Sequence, residues 1–199
     1  MRMGPETSKD AAPKIESIQG ILEEVLGVSP DILSMQEVVP EMYGVLHHQL
    51  THLHWKVYRR RIHENQKHFV VTAVREQAEE STDHTTTHAW PNSKDGRHTL
   101  TVRRRGCAVT NVNCESGYER LDRDVREEQI RYLSRSHEQH PTGVQETGVM
   151  AGNWNMRQGE DSLLLQDHWR DVWTAYHGRA DKDLIDGWTY SRGVVRASG

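Results

Sequence analysis

Cysteine is scarce in this chain. Of its 199 residues only Cys107 and Cys114 carry a thiol. They sit seven apart in a stretch that reads as extended. At about 3.3 Å per residue they stand roughly 23 Å apart, too far to bridge. A reduced, intracellular setting is the expectation. Long apolar runs are also missing. Nothing approaches the roughly 18 residues of a spanning helix, so no membrane span is expected. Met1 to Lys14 lacks the apolar stretch of a signal peptide. A single Phe stands against six Trp, and apolar residues make up 35%, so the core is thin. The net charge of −4 gives no overall field that would draw in nucleic acid. Such contact would fall to local runs, Arg59-Arg60-Arg61 or Arg103-Arg104-Arg105.

What is present is organised around Val149-Met150-Ala151-Gly152-Asn153-Trp154-Asn155-Met156-Arg157. An apolar run breaks at a glycine and empties into polar residues, the pattern of a buried strand delivering side chains to a sheet edge. Asn153 and Asn155, two apart, would share one face of an extended backbone. Residues 1–12 read as a disordered leader, and 13–199 as one domain. Ile15, Ile18, Ile21, Leu22, Val25 and Leu26 recur at helical spacing. Asp31 to Glu37 is a short strand, and Pro40 opens a second helix. Trp55 to Tyr58, Phe69 to Val74, Thr99 to Val102 and Cys107 to Val112 read as strands. Gln77 to Arg97 reads as a long loop or loose hairpin. Leu121 to Leu133 is a charged helix with Leu121, Val125, Ile130 and Leu133 inward. Short elements follow at Leu163 to Leu165 and Val172 to Tyr176. Partial alternation of strands and helices points to an α/β or α+β class.

Three groups of residues have chemistry to offer. Glu37 ends an apolar strand, where a carboxylate is costly without a cation or donors. It is either a Mg²⁺ ligand or a surface glutamate just past the strand. Asn113 and Glu115 share a face at another strand end, with Ser116 beside them. They either grip a phosphate or mark a polar strand-to-loop transition. His48 and His52, one helical turn apart, have zinc-ligand spacing, but no Cys or carboxylate joins them and a solvated helix face explains them as well.

Taken in order, these segments resemble the endonuclease/exonuclease/phosphatase family, in particular its branch acting on 5′-tyrosyl-DNA ends. Asp31-Ile32-Leu33-Ser34-Met35-Gln36-Glu37-Val38 is similar to the family's strand ending in Gln-Glu. Asn113-Cys114-Glu115-Ser116 is similar to its His-Leu-Glu-Ser element. Ala151-Gly152-Asn153-Trp154-Asn155-Met156-Arg157 resembles Ala-Gly-Asp-x-Asn-Leu-Arg. Asp171-Val172-Trp173 and Trp188-Thr189-Tyr190 resemble the later Asp-Val-Trp and Tyr-Thr-Trp.

The resemblance implies a four-layer α/β/β/α sandwich and a Mg²⁺-dependent phosphodiesterase, a hydrolase of DNA repair. It makes Glu37 the metal ligand and places Asn153, Asn155 and Asn113 at catalytic positions. Glu115, Ser116, Arg157 and Tyr190 fall on the substrate side. Two positions depart from the pattern: Asn153 replaces an Asp, and Asn113 replaces a His. The family's first strand, ending in Trp-Asn, has no counterpart before Lys14, and its Ser-Asp-His element has none after Tyr190. Ser81-Thr82-Asp83-His84 imitates the latter but lies in mid-chain. Weak or lost Mg²⁺ binding is therefore expected, in a domain that lacks its first and C-terminal strands and has use for a partner supplying them. The alternative to a phosphodiesterase is a family member without catalysis that binds DNA or a phosphorylated ligand.

Overall fold

The computed structural model describes residues 11–60, 67–76, 83–90, 92–94, 96–117, 119–136, 147–156, 160–163, 169–172 and 194–196. Its elements run α1 (Ala11–Gly27), β1 (Ile32–Val38), α2 (Pro40–His52), β2 (Trp55–Arg59), β3 (Phe69–Arg75), β4 (His84–Ala89), β5 (His98–Arg104), β6 (Cys107–Asn113), α3 (Arg120–Ser136), β7 (Thr147–Asn153), a 3-10 turn (Glu160–Leu163), β8 (Trp169–Asp171) and β9 (Val194–Arg196).

The strands form two sheets, one in the order β1-β3-β2 and one in the order β4-β5-β6-β7-β9-β8. β3 shows how they stack. It is apolar and β-branched on both faces, which suits a strand covered on both sides. Phe69, Val71 and Ala73 pack in one cluster with Ile18 and Leu22 of α1 and Leu46 and Leu50 of α2. The opposite face carries Val70, Thr72 and Val74, and there Asn111 of β6 donates to Thr72 Oγ1 at 3.3 Å. Asn111 is fully buried and also donates to the Val71 carbonyl at 2.8 Å, while Gln36 of β1 donates to its Oδ1 at 2.6 Å. A single side chain thus ties three strands across the two sheets. Beyond the second sheet, Ile130 and Leu133 of α3 meet Val112, Met150, Trp90, Trp154 and Trp169. Four layers result, helix, sheet, sheet and helix, as the resemblance implied.

Three readings need correction. The stretch 77–97 holds a strand, β4, paired antiparallel with β5 from His84↔Arg103 to Ala89↔His98. Its His-Thr-Thr-Thr-His-Ala sequence is polar because it is the sheet's edge and almost wholly exposed. Leu121 is 69% exposed, not inward. The inner face of α3 instead carries Arg126, whose guanidinium makes two 2.8 Å bonds to buried Glu160. The third is the expected lack of C-terminal strands: a short strand, β9, lies between β7 and β8.

Among the described residues β1 is an edge of its sheet, with Ile32 37% and Ile21 58% exposed. Cys107 and Cys114 are not joined in a disulfide. Among the described residues no helix is long and apolar enough to cross a membrane.

Candidate functional site

Strands β6 and β7 run parallel in the middle of their sheet, and their register pairs Asn113 with Asn153 at the strands' C-terminal ends. The pairing depends on Gly152. Its φ is 141°, and a Cβ there would lie 2.2 Å from the Val112 carbonyl oxygen. Only a glycine lets the two backbones come this close. Beyond Asn153 the chain stops being extended. Asn155 has φ 50°, and its N–H donates to Asn153 Oδ1 at 3.2 Å. Its side-chain Nδ2 donates to the Cys114 carbonyl at 2.8 Å. Asn155 therefore braces the loop after β6 rather than sharing an extended face with Asn153. Burial pushes the Cys114 thiol far above its ordinary range, so it offers no thiolate.

Glu37 reaches the site through a bulge. Met35 pairs with Val71 and Val38 with Phe69, so β1 has one more residue than β3 over this interval. Glu37 takes φ 56°, a costly conformation for a glutamate. Its carboxylate is turned towards Arg97, the residue immediately before β5.

Arg97 is the centre of the site and was absent from the sequence reading. It is 6% exposed. Its Nη1 donates to Glu37 Oε1 at 2.8 Å and to Asn113 Oδ1 at 2.7 Å. Its Nη2 donates to Ser116 Oγ at 3.1 Å. Its Nε lies 3.9 Å from Glu115 Oε1. Glu115 is buried and fixed in turn by Ser93, whose hydroxyl donates to Oε2 at 2.9 Å. One guanidinium so collects Glu37 from β1 and Asn113, Glu115 and Ser116 from the end of β6 and the loop after it. The only sequence signal for it was an arginine between a turn, Asp95-Gly96, and an apolar strand.

Arg157 and Tyr190 lie outside the described residues. His48 and His52 are exposed on α2 with their Nε2 atoms 3.1 Å apart, on the side away from inward Leu46 and Leu50. Asp83 accepts from the Tyr58 hydroxyl and lies 3.4 Å from Arg104 Nε, at the end of β5 opposite Arg97. Asp83 and His84 of the Ser-Asp-His imitation are thus at the opposite end of β5 from Arg97.

Among the described residues, the groups gathered here do not fit a Mg²⁺ ion. That ion needs a near-octahedral oxygen shell and gives up its waters reluctantly. One Glu37 oxygen already holds Arg97, both Glu115 oxygens have donors, and the remaining groups are neutral amides. Among the described residues no three His, Cys, Asp or Glu side chains come together as a metal cluster.

Two stacked sheets flanked by helices, with polar side chains gathered at one end, define the DNase I-like class. No family model and no curated protein matches the sequence. Solved structures do. A truncated TDP2, a 5′-tyrosyl-DNA phosphodiesterase, from Caenorhabditis elegans superposes with a TM-score of 0.70 at 19% identity, over 94% of this chain and 77% of that one. TDP2 from D. rerio, complexed with a single-strand DNA product, gives 0.71 at 16% identity, over 96% and 79%. The human Nocturnin catalytic domain with bound sulfate gives 0.63 at 15%, over 88% and 72%. The chain spans 62% of another C. elegans TDP2 structure. At such identities the likeness is one of fold. The resemblance to the endonuclease/exonuclease/phosphatase proteins, TDP2 among them, is therefore present in fold as well as in motifs.

Proposed function

We propose that this chain descends from a phosphodiesterase and now binds a phosphodiester ligand, the end of a single DNA strand, without efficient hydrolysis. The observation that carries this reading is the centre itself. Two amides, Asn153 and Asn113, stand where the resemblance puts an Asp and a His, and a guanidinium lies beside Asn113. A neutral amide takes no proton near pH 7, and loss of a general base typically costs about 10²–10⁴-fold. A phosphate would draw on Arg97 by competing with Glu37 for its guanidinium. Single-stranded DNA as the ligand draws support from the D. rerio TDP2 complex, whose fold this chain shares.

The experiment pairs a binding and a turnover measurement on one probe, a single-stranded oligonucleotide with a 5′-phosphotyrosyl end. Fluorescence anisotropy at low salt should show saturable binding. Release of tyrosine with Mg²⁺ present should be at background. Rapid Mg²⁺-dependent release by the unaltered chain would restore the enzyme reading. Absence of binding even at low salt would remove the ligand.

A further inference from the structure

The misfit with Mg²⁺ has a positive counterpart. We infer that Arg97 is the resident cation of this centre, holding Glu37 and Asn113 in place of a divalent ion. A carboxylate at a strand end needs a cation, and here the chain supplies one. The guanidinium brings a fixed planar fork of donors and stays charged at any physiological pH. Its Nη1 sits between Glu37 Oε1 at 2.8 Å and Asn113 Oδ1 at 2.7 Å, two oxygens from different sheets.

The surroundings keep Arg97 in place. Its side chain is 6% exposed, and the buried carboxylate of Glu115 lies along its Nε edge. Ser93 links the two by a second route. Its hydroxyl donates to Glu115 and accepts the backbone N–H of Arg97 at 3.0 Å. A divalent ion at Glu37 would compete with a cation already tethered to the same carboxylate. A tethered cation competes at high effective concentration, whereas free Mg²⁺ must also shed water.

The inference rests on Glu37 being the metal-facing carboxylate, not on the cleft binding DNA. Its test contains no nucleic acid, so the two readings can fail separately. Mn²⁺ serves as the probe, titrated into the full chain and followed by the relaxation of water protons. The unaltered chain should show no saturable binding that Glu37→Gln removes. Arg97→Gln should strengthen Mn²⁺ binding at least tenfold, since it leaves Glu37, Glu115 and Asn113 oxygens without their cation. The double variant Arg97→Gln with Glu37→Gln should lose that gain. Arg97→Lys keeps the charge and should show no gain. Tight Mn²⁺ binding by the unaltered chain, abolished in Glu37→Gln, would overturn the inference. So would a folded Arg97→Gln chain with no gain. If Arg97→Gln does not fold, the comparison of the unaltered chain with Glu37→Gln still decides.

Discussion

Asn113 and Asn153 sit opposite each other at the ends of two parallel strands, and only Asn113 is in contact with the guanidinium of Arg97 by a described bond. The two amides are thus divided in role. Asn113 is 2% exposed, and its Oδ1 helps to hold Arg97. Asn153 uses its own Oδ1 to receive the N–H of Asn155, and so shapes the turn. Neither amide is placed as a proton acceptor. This is consistent with the proposal of ligand binding without efficient hydrolysis.

Gly152→Ala should damage the fold as well as the site. The methyl group would meet the Val112 carbonyl at 2.2 Å, in a backbone conformation with φ 141°. Neither strand can retreat without breaking the β6–β7 pairing. A loss of about 2–4 kcal/mol is expected from strain plus lost pairing. Urea unfolding measures it, and a loss under about 0.5 kcal/mol, the range of ordinary surface changes, would mean the backbones are not this close.

Glu160→Ala should be as severe for a different reason. It leaves Arg126, 1% exposed, without the carboxylate that meets it in two 2.8 Å bonds. Breaking one side of a buried pair typically costs about 3–5 kcal/mol. Arg126 also donates to the carbonyls of Glu115 and Gly117, at 3.3 and 3.1 Å, so the loop carrying Ser116 should loosen. Hydrogen exchange should show faster exchange in 114–117 than in β3. Unchanged protection there would separate the pair from the site.

These two cases show what the sequence could and could not reveal. β3 was legible because a run of apolar and β-branched residues fits a strand buried on both faces. Gly152 was legible as a break. β4 was not, because an exposed edge strand has no apolar face to give it period two. Arg126 was hidden for the opposite reason: a charge on the inner face of α3 is stable only because Glu160, 34 residues on, comes back to meet it. Leu121 was assigned inward in its place. Arg97 was hidden because its partner Glu37 is 60 residues away and on the other sheet. Local pattern finds elements, whereas this site is made by contacts between segments far apart in sequence.

Acid should weaken the fold through His98. The ring is 1% exposed, and burial lowers its pKa below the ordinary 6.5, outweighing the opposing hydrogen bond to the Gly96 carbonyl. Nearby Arg60 and His68 lower it further. The unfolded chain therefore binds the proton more readily than the folded one. Stability is fully present above pH 6.5 and is lost as pH falls through the lower, folded value. Half-buried His88, also lowered by burial, adds to the same slope. Urea midpoints from about pH 7 to pH 5 should fall, and less steeply in His98→Gln. An identical slope in that variant would assign the effect elsewhere.

Glu37→Gln should strengthen binding of a phosphorylated strand. The described ionic groups at the centre are Glu37, Glu115 and Arg97, an excess of one negative charge. Glu115 is 4% exposed, but the Glu37 side chain is 49% exposed, so an incoming phosphate meets Glu37 first. It must also compete with that carboxylate for Arg97 Nη1. Glutamine keeps the shape and can still accept from Nη1, but it removes the repelling charge. A unit charge at about 4 Å in a watery setting is worth about 1 kcal/mol, roughly fivefold in affinity. Stability should hardly change, because a partly exposed ion pair contributes only about 0–1 kcal/mol. Anisotropy with a 5′-phosphorylated single-stranded oligonucleotide checks this at two salt concentrations. The gain should shrink at the higher one, as screening removes the difference between the two side chains. Weaker binding by Glu37→Gln at low salt would mean that the carboxylate supports the ligand, and that the phosphate does not approach along Arg97.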